Sequence, residues 1–321
     1  MAGGSTGVVI AAMIANGGIA ILKFIGFLLT GSPSMLAETY HSISDTGNQV
    51  LLLIGIKHSQ RGASRVHPFG YGKAQFFFAF LVSVLLFGVA GWESLKHGIA
   101  ELQAGGHEME AGEAEFLGFT IDIQLPIEPF WVVVAILLGA VAFETYAFLK
   151  ARAELKEQME THGWSGYRET FSRTSDLTTL TAFTEDTVAL VGLLVALGGI
   201  IATRLTENPV YDSLGAVVIG ILLMIFAVFL AIENKRLILG ESLPEAAEDS
   251  LKDAISGHST VTGIEDFRSM FIGSGEVLVT ADVEFDGSLD TAALDEDIRQ
   301  IETELQAVDK RVKIVYIEPQ N

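Results

Sequence analysis

The chain contains no cysteine, so disulfides and thiolate metal ligands are both excluded and the redox compartment is left open. It has half as many Lys and Arg residues (20) as Asp and Glu (40), giving a formal net charge of −20. Much of that excess lies in the tail from Glu241 to Asn321, where 19 acidic residues face 6 basic ones. A nucleic-acid partner is disfavoured for such a tail, and a solvated acidic surface is the simplest account of it. The N-terminal region has neither a short charged segment nor a small-residue cleavage site around its first apolar window, so a cleaved signal peptide is not expected. No G-x-G-x-x-G opens a helix, and there is no P-loop, no nucleophile elbow and no aspartate-rich repeat of the sort that holds metal–diphosphate substrates. These absences argue against a nucleotide-driven pump, an organic cofactor and an intramembrane metal-dependent enzyme.

Apolar residues are abundant. Half of the 321 residues are hydrophobic and mean hydropathy is +0.43, too high for an ordinary soluble domain of this size. Windows of roughly 20 apolar residues fall near 7–29, 34–57, 75–98, 129–150, 177–203 and 210–232, predicting six membrane spans. Lys57, Arg61, Arg65 and Lys73 lie between spans two and three, Lys150, Arg152, Lys156, Arg168 and Arg173 between four and five, and Lys235 and Arg236 after six. The intervening loops 30–34 and 101–128 have no Lys or Arg, and the second is acidic through Glu108, Glu110, Glu113, Glu115 and Asp122. By the positive-inside bias both termini are expected in the cytoplasm, at an inner membrane if the source is prokaryotic.

After Gly240 the pattern changes to short soluble elements. Pro244 is placed to open a helix that Gly257 ends. Alternating runs follow at "VTGIEDFRSMFIG" and "EVLVTADVEF", then a helical repeat at "TAALDEDIRQIETELQAV" and a last strand at "RVKIVYI". The predicted architecture is a transmembrane domain over 1–240 followed, over 241–321, by a cytoplasmic αββαβ, ferredoxin-like unit. Its core would be small, and dimerisation would help it.

The stretch "AETYHSISDTGNQVLLLIG" starts polar and ends aliphatic within the second span. His41 and Asp45 lie four apart and share a helix face, continued by Asn48 and Gln49. Span five carries "TAFTEDTVALVG", with Glu185 and Asp186. Ionisable groups in a span face a bundle interior or an aqueous path. An imidazole with carboxylates from two helices is a ligand set for a divalent ion. Lys23 is expected to serve structure or to snorkel, and Glu93 and Glu144 to sit near the interface with a supporting or proton-path role at most.

These residues resemble the cation diffusion facilitator family of divalent metal/proton antiporters, and the resemblance runs over nearly the whole chain. It is carried by "GSPSMLAETYHSISDTGNQVLLLIG", by "HPFGYGKAQFF", by "VYDSLGAVVIG" and by the αββαβ tail. The details "GNQVLLLIG", "HPFGYGK" and "TEDTVAL" look most like the branch containing the vertebrate zinc transporter nine proteins. The resemblance implies a homodimer in the lipid bilayer that exports Zn, Mn, Fe or Co ions in exchange for protons. The alternatives from other classes are an intramembrane metal-dependent enzyme, for which the aspartate-rich repeat is missing, and a non-transporting metal-sensing scaffold. It also implies that His41, Asp45 and Asp186 are ligands. Ala182 stands where many members have a further ligand, and Glu185 lies beside Asp186, about 100° around a straight helix, so a local distortion would be needed for both acids to bind. Asn48 or Gln49 would then complete the shell with oxygen, moving preference toward harder ions.

The resemblance further implies a hinge salt bridge between Lys73 and an acid near the end of span six. The matching position is Gly240, so Glu241 would have to serve. Of the family's loop ligands only His67 remains, with Ser64 and Tyr71 in place of the others. In the tail the family's cytoplasmic metal positions read Glu265, Asp282, Asp295, Tyr316 and Glu318, an all-oxygen set unsuited to a tight binuclear zinc centre.

Overall fold

A computed structural model describes residues 2–105, 113–116, 119–122, 128–162, 166 and 177–320, with side chains over 13–105, 128–157, 159–160, 166 and 183–320. Glu108, Glu110, Arg168 and Arg173 lie outside the described residues. The helices are α1 (Ala2–Thr30), α2 (Pro33–Ser59), α3 (Ala74–Leu85), α4 (Trp92–Gln103), α5 (Pro129–His162), α6 (Leu177–Thr206) and α7 (Val210–Leu239). A π-helical turn, Leu86–Gly91, joins α3 and α4 into a single span. Between α4 and α5 a two-stranded antiparallel hairpin pairs β1 (Glu113–Phe116) with β2 (Phe119–Asp122).

Six spans are therefore present as helices, and the protein is a multi-pass membrane protein. Among the described residues five of them are long and apolar enough to cross a bilayer by length and composition alone. Helix α2 falls short because it carries Glu38, His41, Asp45 and Lys57 in a single run. The helix least suited to lipid is the one that bears the candidate ligands.

The chain forms two compact units, Met1–Leu53 with Ala79–Ile232, and Ile54–Phe78 with Glu233–Asn321. In the first, a core of Phe27, Met35, Leu137, Leu193, Ile200, Ile219 and Leu223 joins α1, α2, α5, α6 and α7. Helix α7 and the third span approach through glycine, since a Cβ at Gly220 would lie 2.7 Å from the Leu95 backbone nitrogen and 3.0 Å from the Gly91 carbonyl oxygen.

The second unit contains the C-terminal elements α8 (Glu245–Ser256), β3 (Val261–Gly273), β4 (Glu276–Phe285), α9 (Thr291–Val308) and β5 (Val312–Gln320), together with the helix ends and loop of 54–78. The αββαβ order is as the sequence predicted. Pro244 is the N-cap of α8 and Gly257 its C-cap, and the Asp290 carboxylate caps α9 by accepting from the Ala293 N–H at 2.8 Å. The sheet order is β3-β4-β5, antiparallel then parallel. Alternation in β4 turns Val277, Val279, Ala281, Val283 and Phe285 inward against Leu251, Ile255, Ile301 and Leu305 of the two helices.

Just before β5, Asp309 accepts from the Arg311 backbone N–H at 2.9 Å and from its guanidinium at 2.6 Å. Burial opposes the charge on Asp309, but the hydrogen bonds and charge of Arg311 outweigh it and hold the carboxyl below its usual range. The folded state then binds this proton more weakly than the unfolded chain. Its contribution to stability is present above the ordinary carboxylate range and is lost as pH falls through the lowered folded value. Arg311→Met should therefore lower the unfolding midpoint of the tail at neutral pH and matter progressively less on acidification. An equal loss at every pH would contradict this assignment.

The expected hinge takes a different form. The bend after α7 is made at Gly240, whose φ of +96° favours glycine, and a Cβ there would lie 2.6 Å from Met270 Sδ. An acid at that position would be strained by the backbone and would have to displace the Met270 side chain. Glu241 pairs with Arg236, while Lys73 Nζ donates to the Ile238 carbonyl at 3.4 Å and lies 3.7 Å from Met270 Sδ. Lys73 thus caps the end of α7 through a backbone oxygen, and Glu241 has a nearer cation on its own segment.

Candidate metal-transport site

The site is built on α2. His41 is 2% exposed, and its Nε2 lies 3.6 Å from Asp45 Oδ2, one turn on. That is a facing pair but too long for a hydrogen bond, and both imidazole nitrogens are buried without a hydrogen-bond partner. Glu185 and Asp186 lie on α6 and Glu144 on α5. Asp45, Glu144, Glu185 and Asp186 are close enough that their charges act on one another. The Asn48 side chain hydrogen-bonds the Glu185 carboxyl, and Gln49 Oε1 is buried with no hydrogen-bond partner.

Both acids of α6 lie on an uninterrupted helix, near enough to Asp45 for their charges to act on it. Two expectations change here. Glu144 lies within charge range of Asp45, Asp186 and Glu38 rather than apart from them. Lys23 does not snorkel: it is 1% exposed, and its ammonium lies 2.7 Å from Glu38 Oε2. Sequence reasoning missed Glu38 altogether, although its position three residues before His41 already places it on the same face of α2.

The other candidates are dispersed. His67 stacks on Tyr71 with ring centroids 4.1 Å apart, and Ser64 Oγ is 3.5 Å from the Tyr71 hydroxyl. Asp282 and Glu318 are neighbours across β4 and β5, Glu265 lies at an irregularity of β3, and Asp295 on α9 is paired with Arg299. Among the described residues no three His, Asp or Glu side chains are drawn together tightly enough to hold a metal ion.

The cation efflux transmembrane domain matches residues 9–239, well over half of the chain. The protein belongs to the cation efflux family, the cation diffusion facilitators. It is 31% identical to the proton-coupled zinc antiporter SLC30A9, mitochondrial, of Homo sapiens over 94% of this chain and 50% of that protein. It is 26% identical to metal tolerance protein C4 of Arabidopsis thaliana over 84% of this chain and 54% of that one. A shorter match, 36% over 69 residues, links 22% of the chain to 21% of the magnetosome protein MamM of Paramagnetospirillum magneticum. These relatives put the chain in the branch expected from "TEDTVAL" and "HPFGYGK". It spans about half the length of the curated relatives it matches most fully.

Proposed function

We propose that the protein is a secondary transporter that moves divalent transition-metal cations out of the cytoplasm in exchange for protons. The reading is carried by the convergence, inside the membrane unit, of a buried imidazole and Asp45 on α2 with Glu185 and Asp186 on α6. The charge of so many acids cannot be held in a bilayer without a counter-ion. A divalent cation supplies it in one state and protons in the other, so the two compete for the same atoms. Uptake of protons from the outer side weakens the metal's ligands, and a bundle that rocks between two openings then completes the cycle. Lys and Arg flanking the spans support a topology with both termini in the cytoplasm, and the small tail core supports a homodimer. Uptake by the purified chain in liposomes loaded with a metal-sensitive dye tests the reading. Signal that depends on an imposed pH gradient is expected, and its absence from folded, inserted protein would count against a carrier.

The ion is expected to be relatively hard. His41 is the lone nitrogen ligand among oxygen donors, and alanine occupies position 182. In competition assays manganese or iron(II) should be handled at least comparably to zinc, the metal named for SLC30A9. Ala182→His should shift preference toward zinc, because an added imidazole is a softer donor than oxygen. Strict zinc exclusivity in the unmodified chain would defeat this part of the proposal.

A further inference from the structure

Lys23 on α1 and Glu38 on α2 form an ion pair of 2.7 Å whose partners are 1% and 0% exposed. Apolar replacement of such a buried pair is often neutral or stabilising, so stability alone is a weak reason for its presence. Its geometry is also asymmetric. Glu38 Oε2 accepts the ammonium, while Oε1 is buried with no hydrogen-bond partner. That free oxygen faces α6 at Gly192, where a Cβ would lie 2.7 Å away, so glycine leaves the space it occupies. His41, three residues on along the same face, adds two more buried ring nitrogens without partners. Native interiors seldom leave such groups unpaired unless something else visits them. Glu38 and Lys23 are near enough for their charges to act on both His41 and Asp45. From Gly31 to Thr39 every residue of this end of α2 is buried, whereas the Asp45 side chain is 14% exposed.

We propose that Glu38 is a second stopping point for the transported divalent cation, on the side of His41 away from Asp45, and that the Lys23 ammonium is a tethered place-holder there. As the cation passes from Asp45 and His41 to the Glu38 carboxylate, the ammonium yields Oε2; when the cation leaves, it returns. A buried carboxylate is thereby never without a counter-charge, and the path closes behind the departing ion. This rests on the transport reading above, with His41 shared between the two stops.

The test is manganese and zinc uptake by the full chain in liposomes, with metal affinity measured in detergent on the same preparations. Glu38→Gln should reduce kcat about tenfold or more, a larger factor than any loss of affinity at the Asp45 end, the pattern of a lost step beyond first binding. Lys23→Met, which leaves the carboxylate without its ammonium, should lower KM and kcat together because the cation is held longer. The deciding variant is Lys23→Met with Glu38→Met, an apolar pair that folds if the charges serve only structure. Folded protein with intact affinity and lost turnover is the expected result, and turnover at the unmodified rate would overturn the proposal. If that variant does not fold, the reversed pair Lys23→Glu with Glu38→Lys decides: it restores the ion pair but moves the carboxylate off α2, so recovered transport would overturn the proposal and lost transport would support it. Asp45→Ala is the separate control. Wild-type transport by that variant would sink the parent reading whatever Glu38 does.

Discussion

Asp45→Ala is expected to abolish pH-gradient-driven metal uptake while leaving a protein at least as stable as the original. Asp186→Ala should do the same. Both halves of the expectation have one cause. Asp45 is largely buried, and its charge acts against those of Glu185, Asp186, Glu144 and Glu38 with Lys23 acting in its favour; acids at mid-membrane cost about 2.5–3.5 kcal/mol on insertion scales. Removing one lowers that burden, so an unfolding midpoint that is unchanged or raised should accompany the loss of transport. A residue placed for packing would behave in the opposite way, with stability falling first and activity following it. Uptake at the original rate by the inserted, folded variant would exclude Asp45 from the site, and a lowered midpoint would show that the repulsion argument is mistaken.

How far the sequence reached can be judged from the elements themselves. The tail was legible to within a few residues because its signals are local: alternation in β4, helical spacing in α9, Pro244 and Gly257 at the ends of α8. His41 with Asp45 was legible for the same reason, since one turn of helix links them. Glu38 obeys that same spacing, yet its meaning depends on Lys23, on another helix, and on the room left by Gly192 on a third. A period along one helix carries no information about either. Glu144 was undervalued because its position along α5 says nothing of which groups on α2 and α6 its charge meets.

Lys73 shows the reverse failure. Carrying a salt bridge over from a resembling family put weight on Glu241, one residue from the matching position. The left-handed bend at Gly240 and the Met270 sulfur against it remove the acid from that position, and the ammonium turns to the Ile238 carbonyl. What survives the substitution is the electrostatic role at the C-terminal end of a helix, where unpaired carbonyls attract a cation whether or not a carboxylate is near.

The contact of α7 with the third span gives the second large effect. Gly220→Val would push a branched side chain toward the Leu95 nitrogen and the Gly91 oxygen, 2.7 and 3.0 Å from its Cβ. Both are backbone atoms, so no rotamer change relieves the clash and the helices must part. Close approach through small residues is how membrane helices gain contact where lipid offers no hydrophobic drive, and that gain is lost along the whole seam, including Gly91 against Met224 and Gly98 against Val217. Overpacking of this kind costs about 1–3 kcal/mol and often more when backbone is involved. A clear fall in the unfolding midpoint and in folded yield is expected, with transport declining in proportion to the folded fraction. Gly88→Val supplies the comparison, because a Cβ there meets nothing within 4 Å and the same residue type enters the facing third span. Equal behaviour of the two variants would mean that the glycine seam does not hold the third span to α7.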